Sequence, residues 1–548
     1  MPQQFSPRRR QLLQGSGALA AGGMASILGG LQVRNAMAAT GGKQLLTAAS
    51  PYGALAPVND LSTGLPLLQL PAGFSYHSYG WSGDAMDDGR PTPNAHDGMA
   101  VVGARRVGRS SELLLVRNHE RGLVATPAET IAAPHVYADK PVNGIITAFY
   151  AGLPIRIGAS GVVTNPAAPA PTSFTGYAAG GTSTLRMRDN QWVGARGSLG
   201  GTLGNCAGGP TPWGSWLSCE ETIYDFSGIG GKKHGYVFEV HSEPAHTSAE
   251  PIVGMGRFVH EAVAVDPASG HVYLTEDNRN ISALYRYLPQ DRSGQPGSLH
   301  RGGRLQAARI RALLRKAVPA TLAQANDDGL LDPQIGDEYE LEWVDIADPD
   351  ADPVVVVGQP GGVSLGFAAG PTHQALSQGC ARMSRGEGIW HAAGKLYIVD
   401  TAAGVDRNNR PGQGEGAVWE LSLATMRLRA IFVSGDASVG NNPDNVTVSP
   451  RGGILLCEDG GASADSYGSG SRLLGLSPAG AAYTFCKNHL LLDAGPLQAA
   501  GKQVAAGSYL DSEFCGACFD PSGRLLFVNL QRPGLTVAIA GPWLRGNL

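Results

Sequence analysis

Charge is scarce in this chain of 548 residues, at 16% Asp, Glu, Lys and Arg, and long apolar runs at helical spacing are few. A predominantly helical architecture is therefore disfavoured from the start. Basic excess is also missing. The formal charge is −4, and removing residues 1–38, which hold four arginines and no acids, takes it to −8. Neither nucleic acid nor an anionic membrane surface finds a complementary field here. Cysteine numbers only seven, an odd total that fits one metal-ligating thiol better than a complete set of pairs. What the chain has instead is 77 glycines and 36 prolines, the composition of many short strands joined by turns. Length alone suggests three or four domains, but all-β barrels and propellers run long as single units.

The amino terminus reads as an address. "SPRRRQLLQ" sets Arg8, Arg9 and Arg10 before Leu12 and Leu13, a weakly hydrophobic, glycine-interrupted run follows from Gly15 to Leu31, and "AMA" closes it at Ala36 to Ala38. Basic, apolar and small-residue regions in that order form an export signal, and the arginine pair marks the twin-arginine type. The expected partners are the twin-arginine export machinery and a small-molecule substrate, with no stable membrane anchor and a periplasmic or secreted mature protein. Residues 39–548 are expected to form one catalytic domain carrying an insertion at about 290–383.

One pattern recurs along that domain: polar or acidic start, apolar strand, turn, apolar strand, acidic end. "HEAVAVDPASGHVYLTED" (260–277) states it most clearly, and "PDNVTVSPRGGILLCEDG" (443–460) copies it. "GEGIWHAAGKLYIVDT" (386–401), "NCAGGPTPWGSWLSCEE" (205–221) and the longer-turned stretch 96–120 follow the same plan, whereas "CGACFDPSGRLLFVNLQ" (515–531) keeps the strands and loses the acids. Six such hairpins predict an all-β fold, a six-bladed β-propeller with helical insertions capping or flanking the channel. A propeller closes on itself, so a monomer is expected. In an antiparallel hairpin the start of the first strand and the end of the second lie side by side. Radial arrangement then gathers the acids at one mouth of the central channel.

Converging carboxylates raise one another's pKa, and burial opposes their ionisation, so cations are required. Oxygen donors such as Asp97, Asn118, Glu120, Asp444 and Asn445 suit calcium or magnesium. Cys206 stands where other hairpins carry a carboxylate, and its softer thiolate favours iron or zinc. A transition metal beside calcium is the resulting expectation. Strand alternation turns Cys219 and Cys457 to the opposite face, to pack as small apolar groups, while Cys515 and Cys518 read as structural. "GRLQAARIRALLRKA" (303–317) has helical spacing, and a short helix is expected within 371–388. Arg385, two residues before Glu387, fits an anionic substrate such as phosphate or an ion pair within the rim. Arg279 is a weaker candidate, and His119 and His260 are expected outside the ligand set.

"NCAGGPTPWGSWLSCEE", "FVHEAVAVDPASGHVYLTED", "RGEG", "PDNVTVSPRGGILLCEDG" and "FVNLQRPGLTVAI" together resemble the PhoX-type alkaline phosphatases. The resemblance runs from about Asp97 to Ile539. It implies a twin-arginine-exported six-bladed propeller with two ferric ions, a bridging oxygen and three calcium ions, hydrolysing phosphomonoesters at alkaline pH. Carried over by motif, Cys206, Glu261 and Glu387 take iron-ligand positions, with Glu221 preferred over its neighbour. Asp97, Asn118, Glu120, Asn205, Glu276, Asp444, Asn445 and Glu458 would supply calcium or bridging ligands, and Arg385 would contact phosphate. Two other readings compete: a calcium-dependent lactonase or phosphotriesterase/phosphodiesterase that does not need Cys206, and a binding propeller without turnover.

Overall fold

The structure is a computed structural model that describes residues 42–146, 172–359 and 363–548. The export signal read at 1–38 lies outside the described residues.

Each of the six hairpins forms where its alternating or continuous apolar pattern places it. Their first strands are His96–Val107, Asn205–Pro210, His260–Val265, Gly386–Ala392, Pro443–Val448 and Phe514–Phe519. Each packs on the next and the sixth on the first, which closes the ring of a six-bladed β-propeller. Blades grow outward from these strands by antiparallel pairing. Blade one adds Ser110–His119, Gly180–Arg188 and Gln191–Thr202, and blade two adds Ser215–Glu220 and Val237–His241. Blades three and four are fused into one nine-stranded sheet through Gly303–Arg315 and Glu338–Asp345, which bridge their outer edges. Strands from the amino-terminal region complete the last two blades: Leu55–Val58 and Leu68–Pro71 extend blade five, and Ser75–Tyr79 pairs with Leu535–Ala540 of blade six. Nothing in the repeat pattern announced this clasp.

The helix expected over 303–317 is instead the strand Gly303–Arg315, paired on one side with Tyr285–Pro289 and on the other with Glu338–Asp345. Burial of both faces over 305–308, followed by register shifts at Ile310/Ala312 and Leu313/Arg315, explains the misreading. Each bulge inserts a residue into the two-residue alternation, so the apolar positions drift to a helix-like spacing. The short helix expected before blade four is present as Gly370–Ser377, and Leu322–Asp327 adds another short helix to the same insertion. No helix among the described residues is long and apolar enough to cross a membrane.

Between neighbouring blades lie layers of buried side chains, such as Leu217, Val237, Val263 and Leu274 between blades two and three, and Val399, Val418, Leu456 and Leu474 between four and five. Strands buried on both faces explain the near-continuous apolar runs of the hairpins.

Candidate active site

The chain reaches the channel mouth through a local irregularity repeated in every blade. In blade one the pairing passes from His96↔His119 directly to Met99↔Arg117, and equivalent jumps occur at Asn205/Gly208, His260/Val263, Gly386/Ile389 and Pro443/Val446. Blade six makes the same jump between Cys515 and Cys518. Two residues are left inside each bulge: Asp97 and Gly98, Cys206 and Ala207, Glu261 and Ala262, Glu387 and Gly388, Asp444 and Asn445, Gly516 and Ala517. A bulge re-aims a side chain that regular pleating would direct elsewhere. The first residue of the pair carries a thiol or carboxylate in blades one to five, and Gly516 leaves blade six with none at that position.

The second residue is Gly or Ala in five of the six blades for a steric reason, and in blade five it is Asn445, whose side chain is held by the amide of Gly516 and by Asp444. Gly98, Ala207, Ala262, Gly388, Asn445 and Ala517 surround the waist of the channel, where only about 20 Å³ of space remains. A Cβ on Gly98 would stand 2.5 Å from the Cα of Ala207, and one on Gly388 would stand 2.7 Å from the amide nitrogen of Val446. At Gly98 and Gly388 the neighbouring backbone leaves no room for a side chain.

The ends of the second strands add another tier. The last paired residues include Glu220, Glu276, Asp400 and Glu458, and these acids are buried against their own blades. Glu220 accepts hydrogen bonds from the amides of Leu203, Gly235 and Tyr236 and is 2.6 Å from His234 Nδ1. Glu276 accepts from Thr372 Oγ1 at 2.6 Å and from the Tyr285 hydroxyl at 3.1 Å. Glu458 is held bidentately by Arg472 at 2.7 Å and by the amide of Asn441, and Asp400 accepts from the amide of Ser384. Alternation then turns the following residue the other way. Glu120, Glu221, Asp277 and Asp459 reach the mouth from these positions.

Four groups of side chains there bring one donor atom each to within 4.8 Å of one another: Cys206, Glu221 and Glu261; Glu261, Glu387 and Asp444; Asp97, Glu120 and Glu513; and Asp444, Asp459 and Glu513. Glu261, Asp444 and Glu513 are shared between groups, so the donors form one linked cluster. Of the residues expected from sequence, Cys206, Glu221, Glu261, Glu387, Asp97, Glu120 and Asp444 are brought together. Glu276 and Glu458 are not, for they face into their blades while Asp277 and Asp459 face the mouth. Asn118 is occupied as a brace, donating to the carbonyls of Cys206 and Ala207 and accepting from Trp216 and Ser218. Asn205 donates to Ser218 and accepts from Thr202. Asn445 accepts from the amide of Gly516 and donates to Asp444 at 2.6 Å.

Asp277, Asp459 and Glu513 were missed. The alternation that favours Glu221 over Glu220 applies equally to "TED" and "CED" and selects Asp277 and Asp459. Glu513 lies just before the sixth hairpin, so blade six does contribute an acid, together with Gln531, whose amide donates to Glu120 at 2.7 Å.

Crowding dominates the electrostatics. Burial first, then neighbouring carboxylates, pushes Glu221, Glu261, Glu387, Asp97 and Glu513 well above the usual carboxylate range. The same causes bring Asp444 up to about 8 and Glu120 up to about 7. Burial, followed by Asp97 and Glu261, also raises the Cys206 thiol. Asp97 Oδ1 and Glu261 Oε2 are buried without a hydrogen-bond partner. The cation set among these acids is Arg385, with Nε 2.9 Å from Asp277 Oδ1, and Nη2 3.1 Å from Asp277 Oδ2 and 2.9 Å from Glu387 Oε1. Although burial opposes its charge, Glu387 and Asp277 hold the guanidinium above its ordinary value. One arginine cannot balance nine carboxylates, and bare oxygens beside a thiol have the chemistry of a site for bound cations.

Flanking residues are otherwise engaged. His119 contacts the carbonyl of Asn94 and Ser183 Oγ, and His260 contacts the carbonyl of Gly256. Arg279 reaches the carbonyl of Gly412 and Gln413 Oε1 only at 3.4 and 3.5 Å. All seven cysteines are free and buried. Cys219, Cys457 and Cys518 pack in apolar layers, and Cys515 Sγ lies 3.0 Å from the carbonyl of His96.

The family model described as Alkaline phosphatase PhoX matches residues 50–534. No curated protein matches. Among solved structures, Pseudomonas fluorescens PhoX in complex with vanadate, a transition state analogue, is similar with a TM-score of 0.55 and 17% identity over 89% of this chain and 98% of that one. A gluconolactonase from Xanthomonas campestris gives a TM-score of 0.29 and 12% identity over 85% and 99% of the two chains. Virginiamycin B lyase from Staphylococcus aureus gives 0.23 and 10% over 61% and 94%.

Proposed function

This chain belongs to the alkaline phosphatase PhoX family and is a metal-dependent phosphatase, and from that premise we propose that it hydrolyses phosphomonoesters to inorganic phosphate outside the cytoplasm, using iron and calcium. One observation carries the proposal: nine carboxylates and a thiol, drawn from all six blades, converge on one mouth around a single committed arginine. Cys206, Glu221 and Glu261 would hold iron, because thiolate and carboxylate together suit a softer ion, with Glu261, Glu387 and Asp444 beside them. Asp97, Glu120 and Glu513, and Asp444, Asp459 and Glu513, offer oxygen alone and would hold calcium. When bound, these ions supply Lewis-acid polarisation of the phosphoryl oxygens and an activated oxygen nucleophile, so no serine nucleophile is required.

The chain's own contribution is preorganisation. Arg385 binds a phosphoryl oxygen and offsets charge that develops in the in-line transition state. The narrow waist blocks approach from below, and half-open Asp459 marks the entrance. Each carboxylate must lose its proton before it can bind a cation, so cation uptake by the empty site should strengthen as pH rises. Export by the twin-arginine route and a monomeric state complete the proposal.

Metal analysis of purified protein, followed by a screen of phosphomonoesters, phosphodiesters and lactones, tests it. Iron with calcium and preferred monoester turnover are expected. Full activity with calcium alone, independent of Cys206, would transfer the protein to the lactonase or phosphotriesterase reading.

A further inference from the structure

We infer that Asp277 is a positioning residue, which fixes the guanidinium of Arg385 for phosphate recognition; the inference rests on the reading of Arg385 as the phosphate contact. Asp277 holds the register position that gives Glu221, Glu120 and Asp459 to the donor groups, yet it belongs to none of them. Its carboxylate instead grips one edge of Arg385 through both Nε and Nη2. A two-point grip fixes the plane of the guanidinium as well as its location. Glu387 takes Nη2 from the other side. Nη1 has no hydrogen-bond partner among the described residues, so the edge offered to a ligand is defined by what Asp277 occupies.

The backbone is arranged to the same end. Arg385 has φ of 62°, a left-handed conformation that non-glycine residues adopt rarely and keep only where the surroundings enforce it. Its amide donates to the carbonyl of Asn278 at 3.3 Å, and its carbonyl accepts from the amide of Thr401 at 3.0 Å. The stretch Asp277–Asn278 thus supplies both the side-chain and a main-chain anchor for the arginine, across the junction of blades three and four. Asp277 also shares a hydrogen bond with Glu221, which makes a ligand role the alternative to be tested.

The metal-loaded enzyme is compared with Asp277→Ala, Asp277→Asn, Arg385→Ala and the Asp277→Ala/Arg385→Ala double variant, by bound metal content, kcat and KM on p-nitrophenyl phosphate, and inhibition by inorganic phosphate. Asp277→Ala is expected to keep its metals and to weaken phosphate inhibition about ten- to a hundredfold. Asp277→Asn should fall between it and the wild type, and the double variant should be no weaker than Arg385→Ala. If Asp277→Ala does not fold, Asp277→Asn carries the same comparison. Metal loss in step with activity would make Asp277 a ligand and overturn the inference, as would fully additive effects in the double variant or unchanged inhibition in the Asp277 variants beside a weakened Arg385→Ala. Unchanged inhibition in Arg385→Ala itself would remove the premise, and the inference with it.

Discussion

Removing the metals should make this protein less stable as pH rises, the reverse of the usual behaviour of ion-paired carboxylates. The reason lies in the sign of the shifts. In the metal-free fold Asp444 titrates at about 8 and Glu120 at about 7, whereas in an unfolded chain Asp and Glu lose their protons near 4. Between those limits the folded state binds more protons than the unfolded one, so stability is fully present below about pH 4 and drains away until pH passes about 8. Because the interacting carboxylates titrate together, the cluster as a whole accounts for a loss on the order of 5 kcal/mol across that window, comparable to the net stability of many domains. Glu276 also titrates at about 8, but Thr372 and Tyr285 surround it, so its contribution should persist in the loaded protein. The difference between loaded and stripped protein therefore isolates the cluster. Thermal unfolding of both forms at pH 5.5, 7 and 8.5 measures it. The stripped form should lose on the order of 5–10 °C more than the loaded form over that range. A melting temperature of stripped protein that is flat, or that climbs toward pH 8.5, would show that the carboxylates are not crowded and would refute the account of the site.

Cys206→Ala should remove the softer metal and activity together, and a fully active, iron-free variant would reject its assignment. For Glu513→Gln we expect a lower bound calcium content and a calcium requirement raised about tenfold, read from activity against free calcium; an unaltered titration would take Glu513 out of the donor set. Glu458→Gln should lower stability by about 1–3 kcal/mol, because it replaces a two-point charged contact to buried Arg472 by a neutral one while the carbonyls of Ser438 and Ala437 remain, and phosphate inhibition stays the same; loss of calcium at an unaltered melting temperature would return Glu458 to the ligands.

Much of the ring was legible because each hairpin writes its own pattern locally, in strand alternation and in turn residues. Cys206, Glu261, Glu387 and Asp97 could be picked out as the polar residue that interrupts an apolar start. Glu276 and Glu458 stand apart from the donor groups, which hold Asp459; two adjacent acids look equivalent in sequence, and only the pairing register shows which one faces the mouth. Leu305, Ile310 and Leu313 mimic a helix because the strand is buried on both faces at its start and bulged after Ile310. Glu513 escaped notice because it enters from outside the repeated unit.

The sequence by itself determined the six hairpins, the small residues at five of the six bulges and the kinds of donor atom available, since these depend on neighbours a few positions apart. Tertiary structure alone decided which carboxylates meet, that Arg385 is gripped by Asp277, and that amino-terminal strands complete the last two blades. Those outcomes depend on the convergence of strands more than a hundred residues apart, and no local pattern encodes the distance at which like charges are forced together.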